Sequence, residues 1–353
     1  FFFNLEKILS MRISTLCCKL AIAGSLLFFL QSCKKENGID NETVVKKPYG
    51  LFIGDSEGQL LNTTDGEYYK TLFTPDGYPT RGLVTSGENI LWVKMNLHLS
   101  TNNGVNFNPT YQSLKLFLPY LKPLMPWPRQ ILNVPSHNRV YVASELGKGI
   151  AYSDDNGLVW TTDGNWAHDV LGGGISSFAQ LANGVLFAHS WNKDSIYRRE
   201  NADASWTWVE PSSGLPSPAA FYLLNMGNTL VAVDASGNHG VWFSDDEGKN
   251  WYSKPGLPSG KILYAGHVAF DQTLLIGTDS AGVYRLENNV FIPSNYGLGD
   301  YTVVYSITSK NNIYKNDVNK EYVYIATNKG LYRSDDLGRN WYLVKPGEYV
   351  FVY

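Results

Sequence analysis

Two arginines stand where a strand should begin. Arg81 lies in Thr80-Arg81-Gly82-Leu83-Val84 and Arg129 in Pro128-Arg129-Gln130-Ile131-Leu132. A guanidinium grips an anionic group through two parallel hydrogen bonds, so two of them at matching places can act as a clamp; they can equally pair with carboxylates of the chain itself. Short polar loops add further groups: Asp55 to Gly58, Ser144 to Lys148, Ser190 to Asp194, Asp234 to His239 and Asp279 to Gly282. Within them Glu145, Trp191, Asp194, His239 and Asp279 are suited to hold a ligand, as is Trp127 in an apolar stretch nearby. An indole face can stack on a sugar ring while amides and carboxylates take its hydroxyls. The same residue types are also ordinary turn formers. The stretch from Tyr111 to Pro128, with Leu116-Phe117-Leu118-Pro119-Tyr120-Leu121, is too apolar for an idle loop. It reads either as the wall or lid of a cleft or as an insertion packed on a rim.

Other chemistries find little support. The six histidines, His98, His137, His168, His189, His239 and His267, are scattered without metal-ligand spacing. The three cysteines, Cys17, Cys18 and Cys33, cluster near the start, so they build neither a disulfide framework nor a zinc site. There is no nucleophile motif and no phosphate loop, and the expectation is a chain without metal, cofactor or catalytic residue of its own. A formal net charge of −3 and the lack of a basic stripe argue against nucleic acid as a partner.

The elements that must position these groups announce themselves by repetition. Ser153-Asp154-Asp155-Asn156-Gly157-Leu158-Val159-Trp160 recurs as Ser244-Asp245-Asp246-Glu247-Gly248-Lys249-Asn250-Trp251 and as Ser334-Asp335-Asp336-Leu337-Gly338-Arg339-Asn340-Trp341. Each reads Ser-x-Asp-x-Gly-x-x-Trp. Serine and aspartate accept from turn N–H groups, glycine supplies a backbone angle that other residues resist, and the indole closes the hairpin by donating to a carbonyl. Weaker copies fill the gaps: Ser100 to Phe107, Asn62 to Tyr69, Arg199 to Trp206 with Asp203 where glycine is expected, and a shortened turn from Tyr284 to Phe291. The spacing is roughly 45 residues over the second half, the period of a four-stranded propeller blade.

The three strong copies resemble the Asp-box, or BNR repeat, and the resemblance extends over most of the chain. It implies an all-β, seven-bladed β-propeller over residues 49–353. The boxes would lie on one face, and the loops joining second to third strands, with the connections between blades, on the other, around the channel mouth. Blade 1 lacks an obvious inner strand, so the C-terminal segment Glu348 to Tyr353 is expected to supply it and close the ring. Sialidases share the repeat but grip a carboxylate with three arginines, one in an Arg-Ile-Pro segment. Here Phe291-Ile292-Pro293 lacks the arginine, and Arg139 is the remaining third candidate beside Arg81 and Arg129. Xyloglucan hydrolases place their carboxylates between two propellers, and this chain holds one. Photosystem II assembly factors and sortilin-type receptors resemble it as single propellers that bind polypeptides.

The first segment reads as an export signal. Met11 is the expected start; Arg12 and Lys19 precede an apolar run from Leu20 to Leu30, and Leu30-Gln31-Ser32-Cys33 resembles a bacterial lipobox. That implies a signal peptide over 1–32, acylation at Cys33 and a flexible tether over 33–48, with the protein anchored at the outer membrane on its periplasmic or surface side. An uncleaved membrane helix is the other reading, although the run is shorter than the ~20 residues a span needs. The functional expectation is a monomeric envelope lipoprotein whose propeller binds a glycan or a polypeptide; the alternative is a sialidase-like or xyloglucan-hydrolase-like glycoside hydrolase.

Overall fold

The computed structural model describes residues 50–94, 97–110, 131–143, 150–163, 175–190, 195–209, 214–216, 221–311 and 320–353. These form seven four-stranded antiparallel sheets arranged in a ring, a seven-bladed β-propeller. The inner strands are Phe351–Val352 for blade 1, Gly82–Ser86, Ile131–Val134, Ile175–Gln180, Phe221–Met226, Leu263–Val268 and Val304–Asn311 for blades 2 to 7. In blades 2 to 7 the chain runs from the inner strand outward.

Blade 1 is the exception that closes the ring. Its second strand, Leu51–Gly54, pairs with Phe351–Val352 from the far end of the chain. Backbone bonds from Phe52 N to Tyr353 O (2.8 Å), Tyr353 N to Phe52 O (2.9 Å) and Val350 N to Gly54 O (2.9 Å) extend that pairing. The expected closure is therefore present, with a regular strand shorter than the whole segment 348–353.

Seven apolar clusters lie between successive blades. The one between blades 2 and 3 joins Leu91, Val93 and Leu99 to Val140, Val142 and Trp160. Trp206, Trp251 and Trp341 enter the corresponding clusters between blades 3 and 4, 4 and 5, and 6 and 7. The box indole thus packs against the blade before its own. This is why its ring is buried although the turn is at the surface.

The turn chemistry follows the side chains. In blade 3, Gly157 N donates to Ser153 Oγ (2.8 Å), Val159 N to Asp155 Oδ1 (2.8 Å) and Trp160 Nε1 to Gly157 O (3.0 Å). Blade 5 repeats this through Ser244, Asp246, Gly248 and Trp251. In blade 7, Ser334, Asp336 and Gly338 do the same, but Trp341 Nε1 donates to Ser294 O of blade 6 at 2.8 Å instead of to its own turn. Gly157 has φ +90°, and a Cβ there would meet Leu91 Cδ2 at 2.5 Å. Backbone handedness and the preceding blade exclude a side chain together.

Two weak copies prove to be complete turns. Thr63, Asp65, Gly66 and Tyr69 form the box of blade 1, one residue shorter, with Gly66 N on Thr63 Oγ1 (2.9 Å) and Tyr69 OH on Gly66 O (3.2 Å). In blade 2, Asn102 stands in for the aspartate, accepting from Ser100 Oγ and Asn106 N. In blade 4, Arg199 replaces the serine. It donates to Ala204 O and forms a fully buried ion pair with Asp163, to which Trp206 Nε1 also donates. The shortened turn of blade 6 is a two-residue hairpin, Asn288-Asn289, both with positive φ.

Candidate functional site

Alternation of strand direction decides which groups meet. Inner strands start at one end of the ring, second strands return there, and the loop from second to third strand lies at that same end. The box turns join third to outer strands at the opposite end. The axial mouth is therefore ringed by the first residues of the inner strands and by the second-to-third loops.

A cavity of about 280 Å³ lies along the axis between the inner strands of blades 1, 2, 3, 6 and 7. Arg81 lines it, held at the head of its strand by a bond from Arg81 N to Val93 O (2.9 Å). Burial lowers the guanidinium from its ordinary value. Tyr264 and Tyr305 take the second place in the inner strands of blades 6 and 7, with ring centroids 5.8 Å apart. Tyr305 OH donates to Glu348 Oε1 (3.3 Å). Its phenol is pushed up to about 12 by burial, by the Glu348 charge and hydrogen bond, and by Tyr264. Burial and then the charge of Asp279 raise Tyr264. At the far end of the cavity His267 Nε2 meets Ser309 Oγ at 2.6 Å.

The remaining predicted residues divide. Asp279 sits at the rim beside Tyr264, accepting from Ser280 Oγ (3.0 Å). His239 does not reach the axis. It lines a separate pocket of about 210 Å³ between the loops of blades 5 and 6, with Lys254 and Lys261. There its Nδ1 lies 3.0 Å from Oδ2 of the buried Asp234, which also accepts from the backbone N–H groups of Ser236, Asn238 and His239. Asp55 accepts from Glu57 N and Gln59 N of its own loop and acts as a turn former. Arg139 is committed to Asp154 through Nε (2.5 Å) and Nη2 (2.8 Å), with its guanidinium 3.9 Å over the Tyr152 ring, so it joins no arginine cluster at the mouth. Cys33, Trp127, Arg129, Glu145, Trp191 and Asp194 lie outside the described residues, as does the stretch 111–128.

Sequence reasoning missed Tyr264, Tyr305 and Glu348. The signal was present: Leu263-Tyr264 and Val304-Tyr305 occupy the same place one blade apart. Tyr301 was also passed over. It is 81% exposed on the connection from blade 6 to blade 7, with φ +55°. A bulky residue in that left-handed region stores strain, and strained backbone positions cluster at ligand and active sites.

No protein-family model matches the chain, and no curated protein matches it. Solved structures do. A GH74 enzyme from Niastella koreensis superposes with a TM-score of 0.53 at 15% identity, over 75% of this chain and 37% of that one. The chain therefore spans little more than a third of that enzyme. A catalytically inactive virginiamycin B lyase from Staphylococcus aureus with quinupristin gives 0.51 at 14% identity, over 76% of this chain and 84% of that one. YCF48 bound to D1 peptide gives 0.49 at 12% identity, over 79% and 88%. At these identities the likeness is one of fold.

Proposed function

We propose that this protein is an envelope lipoprotein of the Asp-box type, acylated at Cys33, whose propeller binds a glycan or a polypeptide at the channel mouth without catalysis of its own. The observation that carries the reading is the axial cavity, lined by a half-buried arginine, by Tyr305 and by apolar inner-strand residues. The exposed Tyr301 and the half-buried Tyr264 offer ring surface for a sugar or an apolar side chain, and polar groups beside them offer orientation. Three of the carboxylates described near the mouth are engaged: Asp55 by its own loop, Asp279 by Ser280 and Glu348 by Tyr305. Groups held in this way suit recognition; acid–base hydrolysis needs a carboxyl pair with room for water or a nucleophilic contact.

The lipobox-like Leu30-Gln31-Ser32-Cys33 supports anchoring at the outer membrane, and the polar stretch after it suits a tether. The GH74 likeness keeps a hydrolase as the competing reading, since that neighbour is named as an enzyme. One experiment separates the two. The full chain is screened on a glycan array and in an envelope pull-down, and in parallel against sialyl and glucan reporters. Capture of a ligand with no turnover is the expected result. Reporter cleavage that is lost on Glu145→Gln or Asp279→Asn would replace the binding role with glycoside hydrolysis.

A further inference from the structure

Among the described residues, every arginine except Arg81 meets a carboxylate. Arg139 meets Asp154, Arg198 meets Glu200 and Glu247, and Arg199 meets Asp163. Arg285 and Arg339 share Glu287, and Arg333 meets Asp335. The exception is the arginine that lines the axial cavity. Burial depresses its guanidinium, and among the described residues no charged neighbour contributes. A cation drawn half out of water without a counter-charge costs free energy. Ionisable groups perturbed by burial in a cleft cluster at functional sites, where a ligand can supply the missing charge.

The cavity narrows the chemistry. At about 280 Å³ it is at the lower edge of small-molecule sites, so it admits an end group and not a threaded chain. Leu83, Ile131, Ile307 and Phe351 make its walls largely apolar. A low local dielectric strengthens an ion pair formed inside. Arg81 supplies one positive charge, and among the described residues no second arginine or lysine lines the cavity. One guanidinium balances a monoanion, and its planar fork matches a carboxylate edge-on.

The geometry points to Arg81 as the anchor of an axial site for a carboxylate: the acid group of a uronic acid residue, or the free C-terminus of a polypeptide. This rests on the binding role proposed above and gives that role its ligand chemistry. The acid enters the mouth and forms a two-bond pair with Arg81, beside Tyr305 and the apolar walls.

The test is calorimetric titration of the full chain with glucuronic acid and its neutral methyl ester, and with acetyl-glycyl-tyrosine as free acid and as amide. At least one acid should bind, and its neutral partner should bind at least tenfold more weakly. Which acid binds identifies the source. Arg81→Met should abolish that binding and raise the melting temperature of the unliganded protein, because a charge without a partner is removed. Arg81→Lys should keep part of the affinity. A lowered melting temperature in Arg81→Met would instead mark a structural arginine and overturn the site. So would failure of both acids, or equal binding of acid and neutral forms. If array or pull-down ligands still bind in those cases, the binding role stands and only the carboxylate falls; if nothing binds at all, both fall.

Discussion

The serine–aspartate pair of each box turn performs two tasks at the scale of single residues. The hydroxyl accepts from the glycine N–H, and the carboxylate gathers the N–H groups that follow it. Burial pushes Asp155, Asp246 and Asp336 up, but hydrogen bonds from the turn outweigh it and hold all three below their ordinary value. A carboxyl whose folded pKa is depressed stabilises the fold above its unfolded pKa of about 3.9, and that contribution fades as pH falls through the folded value. Thermal melts between pH 6 and pH 3 should therefore show a steeper loss of stability in the native protein than in a variant carrying Asp155→Asn, Asp246→Asn and Asp336→Asn. Equal slopes would show that these hydrogen bonds do not discriminate charge. Asn102 already takes the position in blade 2, so the asparagine turn is a tolerated shape. The three full motifs were legible because their spacing is identical. The blade 1 turn was half legible, since Thr63, Asp65, Gly66 and Tyr69 carry the same chemistry one residue tighter.

At the scale of the element, two contacts join parts of the chain that are distant in sequence. The first is the closing strand. Phe351 and Val352 are buried, and full burial of such side chains contributes roughly 1.5–3 kcal/mol each. Together with three backbone bonds of about 1 kcal/mol each, this is comparable to the net stability of a typical domain, about 5–15 kcal/mol. Deleting residues 348–353 should abolish the cooperative melt or lower it steeply; an unchanged transition would mean that the ring closes without this strand. The second is the Arg199–Asp163 pair, 1% exposed on both sides. Asp163→Ala leaves a buried guanidinium uncompensated and should cost roughly 3–5 kcal/mol in chemical denaturation, whereas Arg199→Met with Asp163→Leu should recover most of it. A small loss in the single variant would contradict the burial of the pair. The terminal closure was readable because blade 1 began at its second strand. The ion pair was not: in sequence Arg199 looked like a degenerate box residue, and its partner lies on the outer end of another blade.

At the scale of the molecule, the ring sorts residues by face. Alternating strand direction sends box turns to one end and the inner-strand heads to the other, so Arg81, Tyr264, Tyr305 and Asp279 gather although blades apart in sequence. The sequence placed Arg81 correctly at the head of an inner strand, but nothing local separated it from His239, which the loops of blades 5 and 6 hold in a pocket of their own. The proposed anchor belongs to this scale too: Cys33→Ser should move the protein from the membrane fraction to the soluble envelope fraction, and retention in the membrane would argue for an uncleaved helix. The most direct measurement of the central claim is hydrogen exchange of the full chain with and without the ligand that the array or pull-down identifies. The account predicts slowed exchange in residues 81–85, 263–268 and 304–308, along the axial cavity. Protection confined to the turns at 153–160, 244–251 and 334–341 would place the ligand on the opposite face and contradict it.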